Sequence, residues 1–385
     1  MYDVIVVGAG PAGSAAARYC ATLGLRTLIV EEHASVGYPV QCAGLLSTNA
    51  FSECRVSTDS VIQVVRGATL HSSQGCELHF DAGKTKAFVV DRGALDREMA
   101  ENAVSAGADI MFKTYAYDIR DNVLYTKGVD GHREFPFRLL IAADGPRSVV
   151  RRIRGMKPPL QFYSGIQADV PYETAANFVH IYPDASPDFF GWAIPAGEGR
   201  VRVGLAGGDD VQKRFSSFIH NFSDSCLHQV TGTIPMGVMP QTYGARTLYV
   251  GDAAGFAKPT SGGGVYTGVR SSRYAADVTA VCCEEDRFDD ASLLAYESAW
   301  SADFGKELYF GYRFLQMRSN MTAKDINDIC RTLNTPELKQ MIVEYGDMDR
   351  PKELVLRLLK NPTFFWVART VAKSELRDLI FGGRR

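Results

Sequence analysis

Four residues of this 385-residue chain carry reactive groups in a telling context: Glu31 at the end of an apolar run, and Cys42, Arg92 and Asp252, each within two residues of a glycine. Gly8, Gly10 and Gly13 form G-x-G-x-x-G directly after the apolar run Tyr2 to Val7 and before Ala15, Ala16 and Ala17. A second apolar run, Thr27 to Val30, ends on Glu31, 18 residues after Gly13. This order reads as strand, tight turn, helix, strand and acid. The glycines admit a pyrophosphate to the backbone and to the positive end of the helix, and the acid grips a ribose hydroxyl. Arg92, in Asp91-Arg92-Gly-Ala-Leu95-Asp96, stands at a predicted helix start, where a guanidinium can pair with a phosphate. Asp144-Gly145 follows the apolar run LLIAA. Gly251-Asp252-Ala-Ala-Gly255, followed by Pro259-Thr-Ser-Gly-Gly263-Gly264, sets an acid at a strand end before a glycine-lined helix start. Asp252 can accept hydrogen bonds from polyol hydroxyls there, and the glycines let a flat ring approach the backbone. Singly, each of these segments is a common turn.

The elements that must position these groups are legible in outline. Short alternating runs between about Val61 and Val90 predict antiparallel strands. A helix is predicted from Arg92 to Ala106, with Asp91 as its N-cap and Gly107 as its stop. Lys113 to Ile119 and Asn122 to Lys127 read as a hairpin, and Arg138 to Ala143 as a strand. From about Phe162 to Gly207 strands dominate again, a second and mainly antiparallel module inserted in the first. Thr247 to Gly255 returns to the first sheet, a helix follows from Gly264 to Cys283, and the chain from Ser292 onward is helical. Thr322 with Asp325, and Thr335 before Pro336, mark helix starts.

Bulk properties narrow the classes. A net charge of −2 and a pI near 6.4 offer no global attraction to nucleic acid. The eight cysteines show no C-x-x-C spacing and no metal-ligand cluster stands out, so reduced thiols and no metal are expected. The first strand begins at residue 2 and no apolar run is long enough to span a bilayer, so the expectation is a cytoplasmic protein. Between Arg350 and Arg385, nine Lys/Arg stand against three Asp/Glu. This basic stretch, with Arg357, Lys360, Arg369 and Lys373 among apolar residues, is read either as a solvated helical face or as a peripheral contact with a membrane surface.

Taken together and in this order, the glycine turn, Arg92, Asp144-Gly145 and the Asp252 segment resemble the FAD-binding signatures of the flavoprotein hydroxylase-like superfamily, over roughly residues 1 to 285. Within it, Tyr38-Pro-Val-Gln-Cys42-Ala43-Gly44, Gly191-Trp192-Ala-Ile-Pro195-Ala-Gly197 and the long helical tail are similar to the geranylgeranyl reductase family. The resemblance implies an α/β fold: a Rossmann-type FAD-binding domain (1–60, 88–160 and 245–285), an inserted antiparallel β-sheet substrate domain (61–87 and 161–244) and a C-terminal helical region (286–385). It implies FAD contacts at Ala12, Glu31, Cys42, Ala43, Arg92, Ala116, Asp252, Gly264 and Val265. The glycine pattern adds Gly8, Gly10, Gly13, Gly44 and Gly263. The implied reaction is reduction of C=C bonds in geranylgeranyl chains of ether lipids, chlorophyll precursors or quinone tails, with electrons from NADPH, ferredoxin or quinol. Cys42 would then lie beside the flavin as a proton donor, and Trp192 and Pro195 would wall an isoprenoid cavity. Two departures stand out: Ile194 replaces a family aromatic, and the Cys42 loop continues Ala-Gly-Leu-Leu where other members have Ala-Glu-Gly. An aromatic hydroxylase or halogenase on the same scaffold is the alternative enzyme, and a non-catalytic flavin electron-transfer or binding module the alternative outside catalysis.

Overall fold

The computed structural model describes residues 1–365. Tyr2–Val7 lies inside a sheet because Val4 to Val7 are apolar and buried on both faces, as a parallel strand covered on both sides requires. It pairs in parallel with Gly131–Ala142 on one side and Thr27–Val30 on the other. Across the sheet the order is Tyr243–Gly244, Thr247–Tyr249, Gly131–Ala142, Tyr2–Val7, Thr27–Val30, Asp109–Met111, parallel except at the Tyr243 edge. The predicted hairpin is present as Tyr115–Arg120 and Val123–Gly128, and it continues onto the outer half of Gly131–Ala142. Helix Pro11–Thr22 packs against Val265–Glu285 at a crossing of small residues. A Cβ on Gly251 or Gly268 would lie 2.8 or 3.4 Å from the Ala12 Cβ. Helix Arg92–Ser105 starts where expected, the Asp91 carboxylate accepting the Ala94 N–H at 3.0 Å.

A second, seven-stranded sheet runs His228–Met236, Gln161–Pro171, Arg200–Gly207, Gly191–Pro195, Phe178–Tyr182, Gly67–His71, Glu77–Asp81. Every join is antiparallel except one: Phe178–Tyr182 lies parallel to Gly67–His71. The strands predicted between Val61 and Val90 divide between two sheets. Gly67–His71 and Glu77–Asp81 join this one, whereas Val61–Val65 and Ala87–Val90 pair with each other and with Leu45–Ser47 in a small third sheet. One face of the large sheet is covered by helix Val211–Ile219, through Val211 and Phe215.

The other face is roofed by the C-terminal helices Lys306–Arg318, Ala323–Leu333, Pro336–Tyr345 and Lys352–Lys360. Thr322 and Asp325 form a reciprocal capping box, and Thr335 caps a helix that opens on Pro336. Leu354, Val355, Leu358 and Leu359 turn into a cavity beneath the roof, so the apolar side of Lys352–Lys360 faces inward. Arg357 on the outer side is forked onto Glu353 and lies 3.7 Å from the centre of the Tyr345 ring. Arg369 and Lys373 of the predicted membrane-facing stretch lie outside the described residues. Among the described residues, no helix is long and apolar enough to cross a membrane.

Candidate active site

The glycine turn after the first strand is shaped by backbone contact. Gly8 has φ +96°, and a Cβ on Gly13 would lie 1.9 Å from the Gly8 carbonyl oxygen. Gly13 therefore lets the helix close on the turn and does not line the crevice. Above Gly10 there is open space, with nothing within 4 Å of a would-be Cβ, and no side chain caps helix Pro11–Thr22. Its first N–H groups are left for an anion. Glu31 is buried at the end of its strand. Its Oε2 accepts the Ala9 N–H at 2.8 Å and its Oε1 accepts the His33 N–H at 2.8 Å. Oε1 also meets the His33 Nδ1 at 2.7 Å, so it is Oε2 that keeps a lone pair for a ribose hydroxyl. Ala116, on the neighbouring ribbon, lines the same crevice. At the next turn, Asp144 Oδ2 accepts the Val150 N–H at 3.0 Å, while the buried Oδ1 has no partner among the described residues.

The Cys42 loop is held by the substrate sheet. Gln167 Nε2 donates to the Cys42 carbonyl at 2.9 Å, and Arg202 Nη1 donates to the Ala43 carbonyl at 2.8 Å. Arg202 is itself fixed by a two-pronged pair with Asp169, at 2.7 and 3.1 Å. Gly44, at φ +74°, is needed for close approach: a Cβ there would lie 2.5 Å from the Val90 carbonyl oxygen. It does not line the cavity, but its N–H points to the Cys42 Sγ at 3.4 Å. Arg92 forks onto Asp96 at 3.0 and 2.9 Å, an i,i+4 pair, in place of the free cation that the helix start suggested. Burial pushes the Arg92 guanidinium down, but Asp96 and the hydrogen-bonded Cys42 sulfur outweigh this and hold it above its ordinary value. Cys42, Arg92 and Asp252 thus share one pocket.

Asp252 sits at the start of the second glycine segment, its Oδ1 2.5 Å from where a Gly264 Cβ would be. Burial pushes its carboxyl up to about 6, an effect the Arg92 charge only partly offsets. Lys258, Gly263 and Gly264 shape the turn before helix Val265–Glu285, whose N-terminus also lacks a side-chain cap. Gly263, Gly264 and Val265 line the crevice. The open Gly10 turn, the two uncapped helix starts and the unused lone pairs of Asp252 and of Glu31 Oε2 fit a dinucleotide carrying a polyol. A sign follows for Asp252. Its folded-state pKa is raised, so its stabilising contribution is full below 3.8 and is lost as pH rises through about 6. A ligand that donates hydrogen bonds to the ionised carboxylate pulls that pKa down. FAD should therefore bind at least about tenfold more tightly as pH rises through this window, because a ligand that weakens the carboxyl's hold on its proton tenfold gains the same factor in its own affinity. Asp252→Asn should flatten the dependence; a wild-type titration without slope, read by flavin fluorescence, would refute it.

From this crevice one continuous cavity of 1290 Å³ runs beneath the C-terminal roof. It exceeds the roughly 300–1,000 Å³ of a pocket for one drug-sized ligand. Beyond Cys42 its walls are largely apolar: Trp192, Ile181 and Leu70 from the sheet, Phe189 from the loop before Gly191–Pro195, Met317 and Ile329 from the roof. Trp192 lies flat over Gly204, where a Cβ would come within 2.2 Å of the indole, and its buried Nε1 has no partner among the described residues. Pro195 is buried off the wall, paired with Val201; Ile194 of the same strand reaches the cavity instead. Among the described residues no His, Cys, Asp and Glu cluster could hold a metal.

Sequence reading passed over Gln167, Arg202 and Asp169, although polar side chains spaced two apart in an otherwise apolar strand were a usable signal. It also passed over Lys258. The Lys258 Nζ donates to Asp349 Oδ1 at 2.6 Å and to the Met348 carbonyl at 2.9 Å, and Ser47 Oγ donates to Asp349 Oδ2 at 2.5 Å. This buried cluster fastens the roof to the cofactor crevice.

The sequence profile of the FAD binding domain family matches residues 1–198. An uncharacterized protein of Methanocaldococcus jannaschii is 31% identical over 94% of this chain and 95% of its own length. A digeranylgeranylglycerophospholipid reductase 2 of Methanothermobacter thermautotrophicus is 28% identical over 96% of this chain and 99% of its own. Among solved structures, a geranylgeranyl bacteriochlorophyll reductase-like protein of Thermoplasma acidophilum superposes with a TM-score of 0.87 at 24% identity, covering 98% of this chain and 99% of that one. A flavin-dependent brominase shares the fold at a TM-score of 0.73 and 16% identity, over 97% of this chain and 98% of its own. With FAD as its cofactor, the chain belongs to the FAD binding domain family and, within it, to the geranylgeranyl-reductase-like flavoproteins.

Proposed function

We propose that the protein saturates isoprenoid C=C bonds of the geranylgeranyl class, carried on archaeal-type membrane lipids. The observation that carries this reading is the continuity of the cavity: a crevice fitted to FAD opens at Cys42 into an apolar passage under the helical roof. The names of the full-length relatives support the same substrate class. The chemistry that bound, reduced FAD supplies is hydride transfer to one carbon of the double bond. The other carbon needs a proton, and Cys42 holds the thiol at the junction of crevice and passage. Gln167 and Arg202 fix the height of its loop, and Arg92 lines the same pocket as the sulfur. The apolar walls place the chain and exclude water. A substrate held in a lipid layer also requires a membrane encounter, for which the exposed Lys360 is available.

Co-expression with a pathway that makes geranylgeranyl lipids, followed by mass spectrometry of the lipid extract, tests the assignment. The expected result is a ladder of mass gains of two hydrogens, absent without the protein. Unchanged lipid masses would overturn it, and oxygenated or halogenated products would turn it toward the alternative enzyme.

A further inference from the structure

Gly165 is a glycine without a backbone reason. It sits inside the strand Gln161–Pro171, its φ is not in the left-handed region, and a Cβ there would meet Ile234 Cδ1 at 3.6 Å, Ala206 Cβ at 3.9 Å and the Gly232 oxygen at 3.9 Å, all ordinary contacts. Its neighbours differ. A Cβ on Gly232, its cross-strand partner, would press on the Gln41 carbonyl oxygen at 3.1 Å, and Gly262 stands at φ +72°. A glycine inside a strand loses packing and raises the entropy lost on folding, so one that the backbone does not require points to something passing close over it.

The surroundings say what that space adjoins. Gly165 shares its face with Gln167, two residues on, whose amide holds the Cys42 carbonyl. Ile234, beside it, is also 3.5 Å from where a Gly262 Cβ would be, on the glycine turn before helix Val265–Glu285. Gly165, Gly232, Gly262 and Ile234 all line the cavity. The bare patch therefore lies between the Cys42 loop and the glycine turn, the two segments that bracket the reacting position.

We propose that residue 165 is a specificity determinant: its missing side chain leaves the passage by which a methyl-branched chain extends beyond the double bond being reduced. This rests on the isoprenoid reading above. The width over Gly165 sets how much chain is accepted past the reacting position, and so which double bonds of a long chain can be presented in turn. A Cβ here meets ordinary contacts alone, so a valine or leucine projects from a relaxed strand into that passage.

Purified holoprotein carrying Gly165→Val or Gly165→Leu tests this with a ten-carbon geranyl and a twenty-carbon geranylgeranyl compound. FAD stoichiometry and the visible flavin spectrum should match the parent. The kcat/KM for the short chain should stay within about threefold, while that for the long chain falls more than tenfold and its product ladder stops with double bonds unreduced. An unchanged ladder and an unchanged chain-length profile would overturn the proposal. So would loss of FAD or a shifted flavin spectrum with both substrates equally impaired, which would mean that the cofactor fills this space. If the parent reduces neither chain, the function reading fails separately. Binding of geraniol and geranylgeraniol, followed by flavin fluorescence, then decides: a selective loss of the longer alcohol supports the passage, and equal binding by parent and variants refutes it.

Discussion

Asp349→Ala should destabilise the folded holoprotein by about 3–5 kcal/mol, the range for removing one partner of a buried ion pair. Asp349 is 3% exposed and Lys258 8%, so solvent cannot replace the lost carboxylate. The ammonium would keep one carbonyl, that of Met348, and would lose its counter-charge. Ser47 would lose its acceptor while still capping helix Thr48–Cys54 through the Ala50 N–H. The effect should be concentrated in the roof, because Asp349 joins it to the crevice, while Lys86, Arg318 and Asn334 supply further ties, to Gly346, Pro187 and Glu77. Denaturant unfolding measures the size and limited proteolysis of the roof helices measures the place. Replacing both charges, Lys258→Met with Asp349→Leu, should recover most of the loss, since an apolar pair of similar volume removes the stranded charge. A single variant within about 1 kcal/mol of the parent would show that water or a rearranged neighbour satisfies Lys258.

That cluster also shows where the sequence stops being readable. Lys258 and Asp349 are 91 positions apart, and Ser47 and Asp349 are 302 apart. No periodicity links such residues; only the docking of the roof brings them together. Local chemistry behaved differently. The strand-turn-helix after Tyr2, the Asp91 cap and the Thr322 capping box each depend on residues within a few positions, and each lies where spacing put it. Arg92 falls between the two cases. Its helix-start position suggested a phosphate partner, yet Asp96 one turn on was equally visible as an i,i+4 partner and takes the guanidinium. Gly13 and Gly44 are glycine for contact with backbone, so a motif names them while only packing separates them from the residues that face a ligand. Helix Val211–Ile219 and strand His228–Met236 went unread. The helix is short and mostly polar. The strand carries Gly232 on the face of Val230, Ile234 and Met236, where a regular alternation would carry an apolar side chain, and Pro235 on the other.

Cys42→Ala should slow alkene reduction by at least about 10²-fold, the lower bound for losing a positioned general acid, while FAD remains bound. Retention of FAD follows from how the loop is held. Gln167 and Arg202 grip the carbonyls of Cys42 and Ala43, which no side-chain substitution removes. The thiol meets the Gly44 N–H, and Arg92 keeps its two-pronged pair with Asp96 when the sulfur is gone. Cys42→Ser should also be slow, because a hydroxyl is a far weaker acid than a thiol and gives up its proton less readily in the same geometry. It should not be slower than Cys42→Ala, which offers no proton at all. Single-turnover oxidation of reduced enzyme by an isoprenoid substrate isolates this step from flavin reduction, and the FAD-to-protein ratio checks the cofactor. If both variants turn over at the parent rate with full FAD, Cys42 is packing only. The proton must then come from another group at the junction or from water.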